Sequence, residues 1–155
     1  MLSLARENWA AIRAKMNASP LGAPFEVTER SAFADTPERR QALYEELWQK
    51  GGFHILFGSY ADILTDKEAN RTLADFVRGK IREIVRDPKI AAKLMPDYYL
   101  GTKRQLLDNG YYETFNRDNV TLIDLREDPI QEITSAGVRT ATGEHPLDML
   151  VLATG

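Results

Sequence analysis

The chain contains no cysteine. That excludes a disulfide framework, a thiolate metal site and a cysteine nucleophile, and it fits a reducing, cytoplasmic address. Histidine is scarce: His54 and His145 are far apart, and neither has an acidic cluster at ligand spacing nearby. Both read as ordinary surface or core residues, and no metal site is expected. None of the ten glycines forms a G-x-G pair, so there is no dinucleotide fingerprint and no P-loop. No G-x-S-x-G elbow occurs, and no Ser/His/Asp set is suggested. Charge of one sign is also missing. With 20 Lys and Arg against 23 Asp and Glu, the net charge is -3, so neither nucleic acid nor a membrane is expected as a partner. Long apolar runs are absent as well. The longest, Met149 to Ala153, is far too short to span a bilayer. The N-terminal stretch is interrupted by Arg6, Glu7 and Arg13 and does not read as a signal peptide.

What remains is an ordinary globular composition: 155 residues, 43% hydrophobic, 28% charged and 9% aromatic. A single domain of this length buries roughly 70% of its unfolded surface. Residues 3–97 read as helices. Leu4, Trp9, Ile12 and Met16 recur at roughly helical spacing, and the Pro/Gly-rich stretch at 19–24 ends that segment. Thr36-Pro37-Glu38 is a helix start: an N-cap threonine, proline at the first position and an acid at the positive end of the dipole. Leu43, Tyr44, Leu47 and Trp48 line one face of this helix, and Gly51-Gly52 stops it. The apolar segment 53–60 is either a short buried helix or a strand. Thr65-Asp66-Lys67-Glu68 reads as a capping box. It opens the strongest helical signal in the chain, with Leu73, Phe76, Val77, Ile81, Ile84 and Val85 at spacings of three and four. Asp87-Pro88 begins one more short helix, to Met95.

From Gly101 the period changes. Residues 120–125 are β-rich, 130–140 read as a hairpin, and 141–144 form a second turn. Met149 to Ala153 reads as a strand covered on both faces, a pattern of parallel sheets. No β-α-β partner for it is encoded in the chain, so this strand is expected to belong to a larger structure.

The remaining chemical candidate is Gly101-Thr102-Lys103-Arg104. In an extended segment adjacent side chains point to opposite sides, so Lys103 and Arg104 can serve two anionic groups at once. Lysine offers a compact charge and arginine a planar donor array that stays cationic. By themselves the two residues also read as a solvated basic pair. Tyr98-Tyr99 and Tyr111-Tyr112 can stack on a ring system, but read equally as packing.

Taken together, several segments resemble the type I Baeyer–Villiger monooxygenases, flavin- and NADPH-dependent enzymes that insert oxygen beside a ketone. The matching text is LWQKGGF at 47–53, DKEAN at 66–70, FVRGKIREIV at 76–85, GTKR at 101–104, YYETFNRDNV at 111–120, PI at 129–130, GVRT at 137–140 and LATG at 152–155. GTKR and YYETFNRDNV are the specific segments; Ala-Thr-Gly is shared by many two-dinucleotide flavoproteins. The family's glycine fingerprints and its F-x-G-x-x-x-H-x-x-x-W signature do not occur here, so the chain resembles an internal fragment, one expected to be inactive alone.

The resemblance implies an α/β fold: part of a flavoprotein with two dinucleotide-binding domains. Residues 1–100 would be the helical portion of the NADPH domain, 101–119 an active-site segment, and 120–155 a β-rich return to the FAD domain. It implies FAD and NADPH as cofactors, a ketone and dioxygen as substrates, and an ester or lactone as product through a peroxyflavin. By the same resemblance Arg104 is the catalytic arginine beside the flavin, Lys103 contacts the NADPH 2′-phosphate, and Thr154 and Gly155 pass near the FAD pyrophosphate. Trp48 and residues 111–116 read as scaffold. Two other readings stand beside this one: a noncatalytic helical interaction module left by truncation, and a related flavin monooxygenase acting on nitrogen or sulfur.

Overall fold

The computed structural model describes residues 6–19, 22, 28–107 and 109–153. Helix α1 (Trp9–Ala18) forms as its pattern predicts, but it buries none of its residues, and Trp9 is 56% exposed. Its apolar face meets no core among the described residues. Leu4 of the same stripe, and Pro20, Leu21, Ala23 and Pro24 of the expected stop, lie outside them.

A 3-10 turn at Ala32–Ala34 leads into α2 (Pro37–Lys50). Thr36 caps α2 through its hydroxyl, which accepts from the Arg39 N–H at 3.4 Å, with Pro37 in the first turn. Gly51 ends it at φ +70°, its N–H closing on the Leu47 and Trp48 carbonyls. Glycine reaches that left-handed region without the Cβ penalty. The ambiguous segment after it is a single helical turn, α3 (His54–Phe57), with Ile55 and Leu56 buried. Local bonds decide this: the Phe57 and Gly58 N–H groups close back on the Phe53 and His54 carbonyls, at 3.0 and 2.8 Å.

Helix α4 (Lys67–Ile84) is the central beam. The expected capping box is shifted by one residue. Asp66 rather than Thr65 is the N-cap, its carboxylate accepting from the Glu68 and Ala69 N–H groups at 2.9 and 2.8 Å. Thr65 is engaged in the preceding turn, where its N–H bonds the Asp62 carbonyl at 3.1 Å. A carboxylate also outcompetes a hydroxyl at the positive end of a helix dipole. The apolar stripe of α4 serves two clusters in succession. Leu73 and Phe76 pack with Tyr44, Leu47, Ile55, Leu56, Tyr60 and Ile63. Ile81 and Val85, just past the helix end, pack with Ala91 of α5 (Pro88–Leu94), under Tyr112 and Phe115. Val77 touches both clusters. Lys80 adds a polar tie to α2, 2.7 Å from Glu45.

Beneath the first cluster sits a buried polar group. The Tyr60 hydroxyl donates to the Asp35 carboxylate at 2.8 Å, and Arg30 pairs with the same carboxylate. Burial and the adjacent Asp35 charge both raise the Tyr60 phenol well above its ordinary pKa.

After the one-turn helix α6 (Tyr111–Thr114), the chain makes a three-stranded antiparallel sheet in the order β1 (Ile130–Thr134), β2 (Gly137–Thr140), β3 (Glu144–Pro146). Both expected turns are present. Arg139 on β2 bonds Glu132 on β1 and Glu144 on β3, at 2.6 and 2.9 Å, so opposite charges line up across the three strands. One expectation fails here. Residues 120–124 form no strand but an irregular stretch leading into a turn from Leu125, where the Asp124 carbonyl accepts from the Glu127 and Asp128 N–H groups. Met149 to Ala153, expected as a strand whose partners the chain does not encode, pairs with nothing among the described residues, and Met149, Val151 and Leu152 are more than two-thirds exposed. β-branched and apolar composition makes a strand only where a ladder partner exists, and neither segment has one here. The α/β expectation thus resolves into a helical half followed by a small antiparallel sheet. Among the described residues no helix is long and apolar enough to cross a membrane.

Leu73 is 1% exposed and Ile133 is 59% exposed. Leu73→Ala is expected to lower unfolding stability by about 2–5 kcal/mol, and Ile133→Ala by no more than about 0.5 kcal/mol. Urea denaturation of the two variants checks this.

Candidate functional site

The segment that carries Lys103 and Arg104 is pinned along α4 by three side chains. At the start, Arg78 donates from Nε and Nη2 to the Pro96 carbonyl at 3.1 and 2.8 Å, and its Nη1 bonds Asp75. Two turns nearer the helix N-terminus, the buried Asn70 carboxamide takes hold of Leu100. Its Nδ2 donates to the Leu100 carbonyl (2.9 Å) and to the Ile63 carbonyl (2.8 Å), while its Oδ1 accepts from the Leu100 N–H (3.0 Å). Beyond the loop, Asn116 grips the other end of α4. It accepts from the Arg86 N–H and donates to the Ile84 carbonyl, both at 2.8 Å. The loop therefore leaves and returns to one helix at fixed points.

Gly101 follows the Asn70 clamp at φ +88°, and a Cβ there would sit 2.5 Å from the Leu64 side chain. Only glycine meets both conditions cheaply. Thr102 closes the turn, its N–H and hydroxyl both donating to the Tyr99 carbonyl, at 3.2 and 2.7 Å. Both predicted basic side chains then emerge exposed. The Lys103 ammonium lies 4.6 Å from the centroid of the Tyr98 ring, and Lys67 lies 5.9 Å from that of Tyr99. A ring face attracts a cation without neutralising it. Arg104 has no hydrogen bond or ion pair among the described residues. The nearby arginines differ: Arg71 pairs with Glu68 and Arg78 with Asp75. A cleft of about 250 Å³ runs beside the turn, lined by Asn70, Arg71, Ala74, Arg78, Asp97, Tyr98 and Tyr99.

This donor set fits an anionic ligand, because Lys103 and Arg104 are both exposed just past a turn of defined shape, and neither has an ion-pair partner among the described residues. Thr154 and Gly155 lie outside the described residues. His54 and His145 are both engaged locally. The His54 Nδ1 bonds the Gly51 carbonyl at 2.9 Å and must carry the proton there, since a carbonyl only accepts. The His145 Nε2 lies 3.2 Å from the Thr140 hydroxyl. Trp48 packs edge-on to Phe76, and Tyr111 packs edge-on to both Tyr112 and Phe115, as scaffold residues do.

Asn70 is the residue that reading the sequence for chemistry missed as a fixture of this site. Its signal was available: a carboxamide on the buried stripe of an amphipathic helix, one turn before Leu73. A polar group at such a position has to find partners. What it bonds is not encoded locally, because Leu100 lies 30 residues further on.

A second electrostatic feature ties the sheet half to this region. Arg126 bonds Asp124 at 2.8 Å and reaches Asp97 at 3.5 Å, while Lys93 pairs with Glu127 at 2.5 Å. The side-chain bond from Arg126, then the Arg126 N–H, hold the Asp124 carboxyl down at a pKa of about 2.

Known proteins place the chain. No family model matches it. It is 49% identical over 134 residues to a Baeyer–Villiger monooxygenase of Pseudooceanicola batsensis, covering 84% of this chain and 24% of that protein. It is 44% identical over 153 residues to a phenazine N-monooxygenase of Lysobacter antibioticus, covering 97% and 28%. A crystal structure of OTEMO in complex with FAD and NADP superposes with a TM-score of 0.94 at 40% identity, over 99% of this chain and 28% of that one. The open crystal structure of cyclohexanone monooxygenase gives 0.93 at 40% identity, over 99% and 30%. The chain thus spans about a quarter of the length of the curated relatives it matches.

The Asp124–Arg126 pair has a consequence for pH. A carboxyl with a folded pKa below its unfolded value contributes stability above the unfolded pKa and loses it as pH falls through the folded one. Asp124 is therefore expected to titrate near pH 2, and Arg126→Gln to return it toward the ordinary carboxylate range. Carboxyl-resolved NMR titration measures both.

Proposed function

Since the chain is related over most of its length to one segment of the flavin-dependent Baeyer–Villiger monooxygenases, we propose that it is the part of such an enzyme that presents a lysine and an arginine to its two cofactors. The parent activity we propose is the FAD- and NADPH-dependent conversion of a ketone to an ester or lactone. The observation that carries this reading is the pinned turn at Gly101–Thr102, after which Lys103 and Arg104 follow exposed and without an ion-pair partner among the described residues.

When bound, FAD activates dioxygen for the insertion and NADPH supplies the reducing hydride. The chain's own contribution is electrostatic. In this reading the Arg104 guanidinium stabilises negative charge developing on the reacting oxygen atoms. A guanidinium is a planar cationic donor array suited to that charge, and a donor already in place stabilises it without reorganising. Lys103 takes the 2′-phosphate of NADPH. One charge-assisted contact is worth about 1.5–3 kcal/mol, roughly 10–150-fold in preference over NADH. Tyr98 beneath the ammonium restricts its directions while leaving its donors available. Thr154 and Gly155 approach the FAD pyrophosphate, where a glycine lets backbone come close. Residues 1–100 then act as the helical portion of the NADPH domain and 120–155 as the return to the FAD domain.

A second reading rests on the phenazine N-monooxygenase relative: the same cationic pair serves oxygen transfer to a ring nitrogen. Incubating the full-length enzyme with a cyclic ketone and with an N-heteroaromatic compound separates the two, ester or lactone formation supporting the first and N-oxide formation the second.

In the full-length enzyme, Arg104→Ala is expected to abolish product formation while NADPH still reduces the flavin; normal product yield would sink the assignment. Lys103→Ala is expected to raise the NADPH KM at least about tenfold and leave the NADH KM nearly unchanged. Steady-state kinetics with both cofactors reads this, and an equal loss with both would count against a 2′-phosphate contact.

A further inference from the structure

We propose that Asn70 is a positioning residue for nicotinamide-cofactor discrimination, acting through the Leu100 peptide and the Gly101 turn on Lys103. The inference rests on the reading of Lys103 given above. Asn70 is 4% exposed and lies on the first turns of α4, between Ala69 and Leu73, which are buried with it. A hydrophobic residue would satisfy packing at such a position. The carboxamide instead spends two of its three bonds on a single residue, Leu100, holding both the carbonyl and the N–H. Its third bond, to the Ile63 carbonyl, fixes the plane of the carboxamide itself.

Position and direction are set by different groups. The Leu100 side chain packs against the first hydrophobic cluster and determines where the chain lies. Hydrophobic contact is non-directional, so it does not determine how the Leu100 peptide is turned. The paired bonds from Asn70 do, because a planar carboxamide holding one N–H and one C=O permits one orientation. Lys103 lies three residues downstream, just past the turn that Thr102 closes on the Tyr99 carbonyl. A change in how the Leu100 backbone is turned is carried through that turn to the Lys103 ammonium, and a charge-assisted hydrogen bond tolerates a displacement of only about half an ångström. The turn itself adds little slack, since Thr102 is doubly bonded to Tyr99.

The test is cofactor kinetics on the full-length, FAD-loaded enzyme carrying Asn70→Ala, with Lys103→Ala and Tyr44→Phe beside it. Tyr44→Phe removes a 2.7 Å bond to Thr72 on the same helix and does not touch the loop, so it controls for a merely structural loss. Asn70→Ala is expected to lower the ratio of the NADH KM to the NADPH KM about tenfold, chiefly through the NADPH KM. Tyr44→Phe is expected to lower the melting temperature while leaving that ratio in place. Should Asn70→Ala fail to fold, Asn70→Ser, which keeps a polar group and admits water, carries the same measurement. An unchanged ratio in the Asn70 variant, with the ratio collapsed in Lys103→Ala, overturns the positioning role and leaves the Lys103 reading standing. Equal losses of the ratio in the Asn70 and Tyr44 variants also overturn it. An unchanged ratio in Lys103→Ala overturns the Lys103 reading and this inference with it.

Discussion

One buried carboxamide on α4 holds the backbone at the start of the cationic turn. Asn70 is almost fully buried, and its amide meets three backbone groups at 2.8–3.0 Å. A satisfied hydrogen bond nets only about 1 kcal/mol, but leaving a buried partner unpaired costs about 1–3 kcal/mol. That asymmetry makes the clamp cooperative: the loop closes on Asn70 or exposes several unsatisfied groups at once. Arg78 at Pro96 and Asn116 at the far end of the helix repeat the device. The helix thus works as a ruler against which the cationic turn is set.

The rest of the helical half exists to hold that ruler still. Two hydrophobic clusters share α4 end to end, with Val77 common to both. The sheet half is joined to this region differently, through the exposed pairs Lys93–Glu127 and Arg126–Asp97. Exposed ion pairs contribute about 0–1 kcal/mol each and are screened by salt. The burial in the helical half therefore outweighs the ties to the sheet, and the turn bearing Lys103 and Arg104 takes its geometry from helices, not strands.

Relatives that match this chain at 44–49% identity carry it as about a quarter of a longer protein. That proportion gives the exposed apolar residues Met149 to Leu152 a natural context.

Local signals were legible without coordinates wherever one turn of chain contains all the physics. Thr36-Pro37 starts α2, Gly51 ends it, Asp87-Pro88 starts α5, and the hairpin turn at 135–137 joins β1 to β2, because caps and tight turns are satisfied by neighbours a few residues away. The apolar stripe of α4, and the resemblance carried by GTKR, were equally visible. Misreadings fell where a partner decides: the strand expected at 120–125 lacks one among the described residues, and the capping choice between Thr65 and Asp66 turned on what the previous turn had already claimed. The sequence by itself thus determined helices α2, α4 and α5, the buried faces of α2 and α4, and the cationic pair. Only the tertiary structure decided that Asn70 holds Leu100 and that the pair leaves the fold on a fixed turn, because a hydrogen bond across 30 residues depends on how helices pack and leaves no periodic mark on the chain.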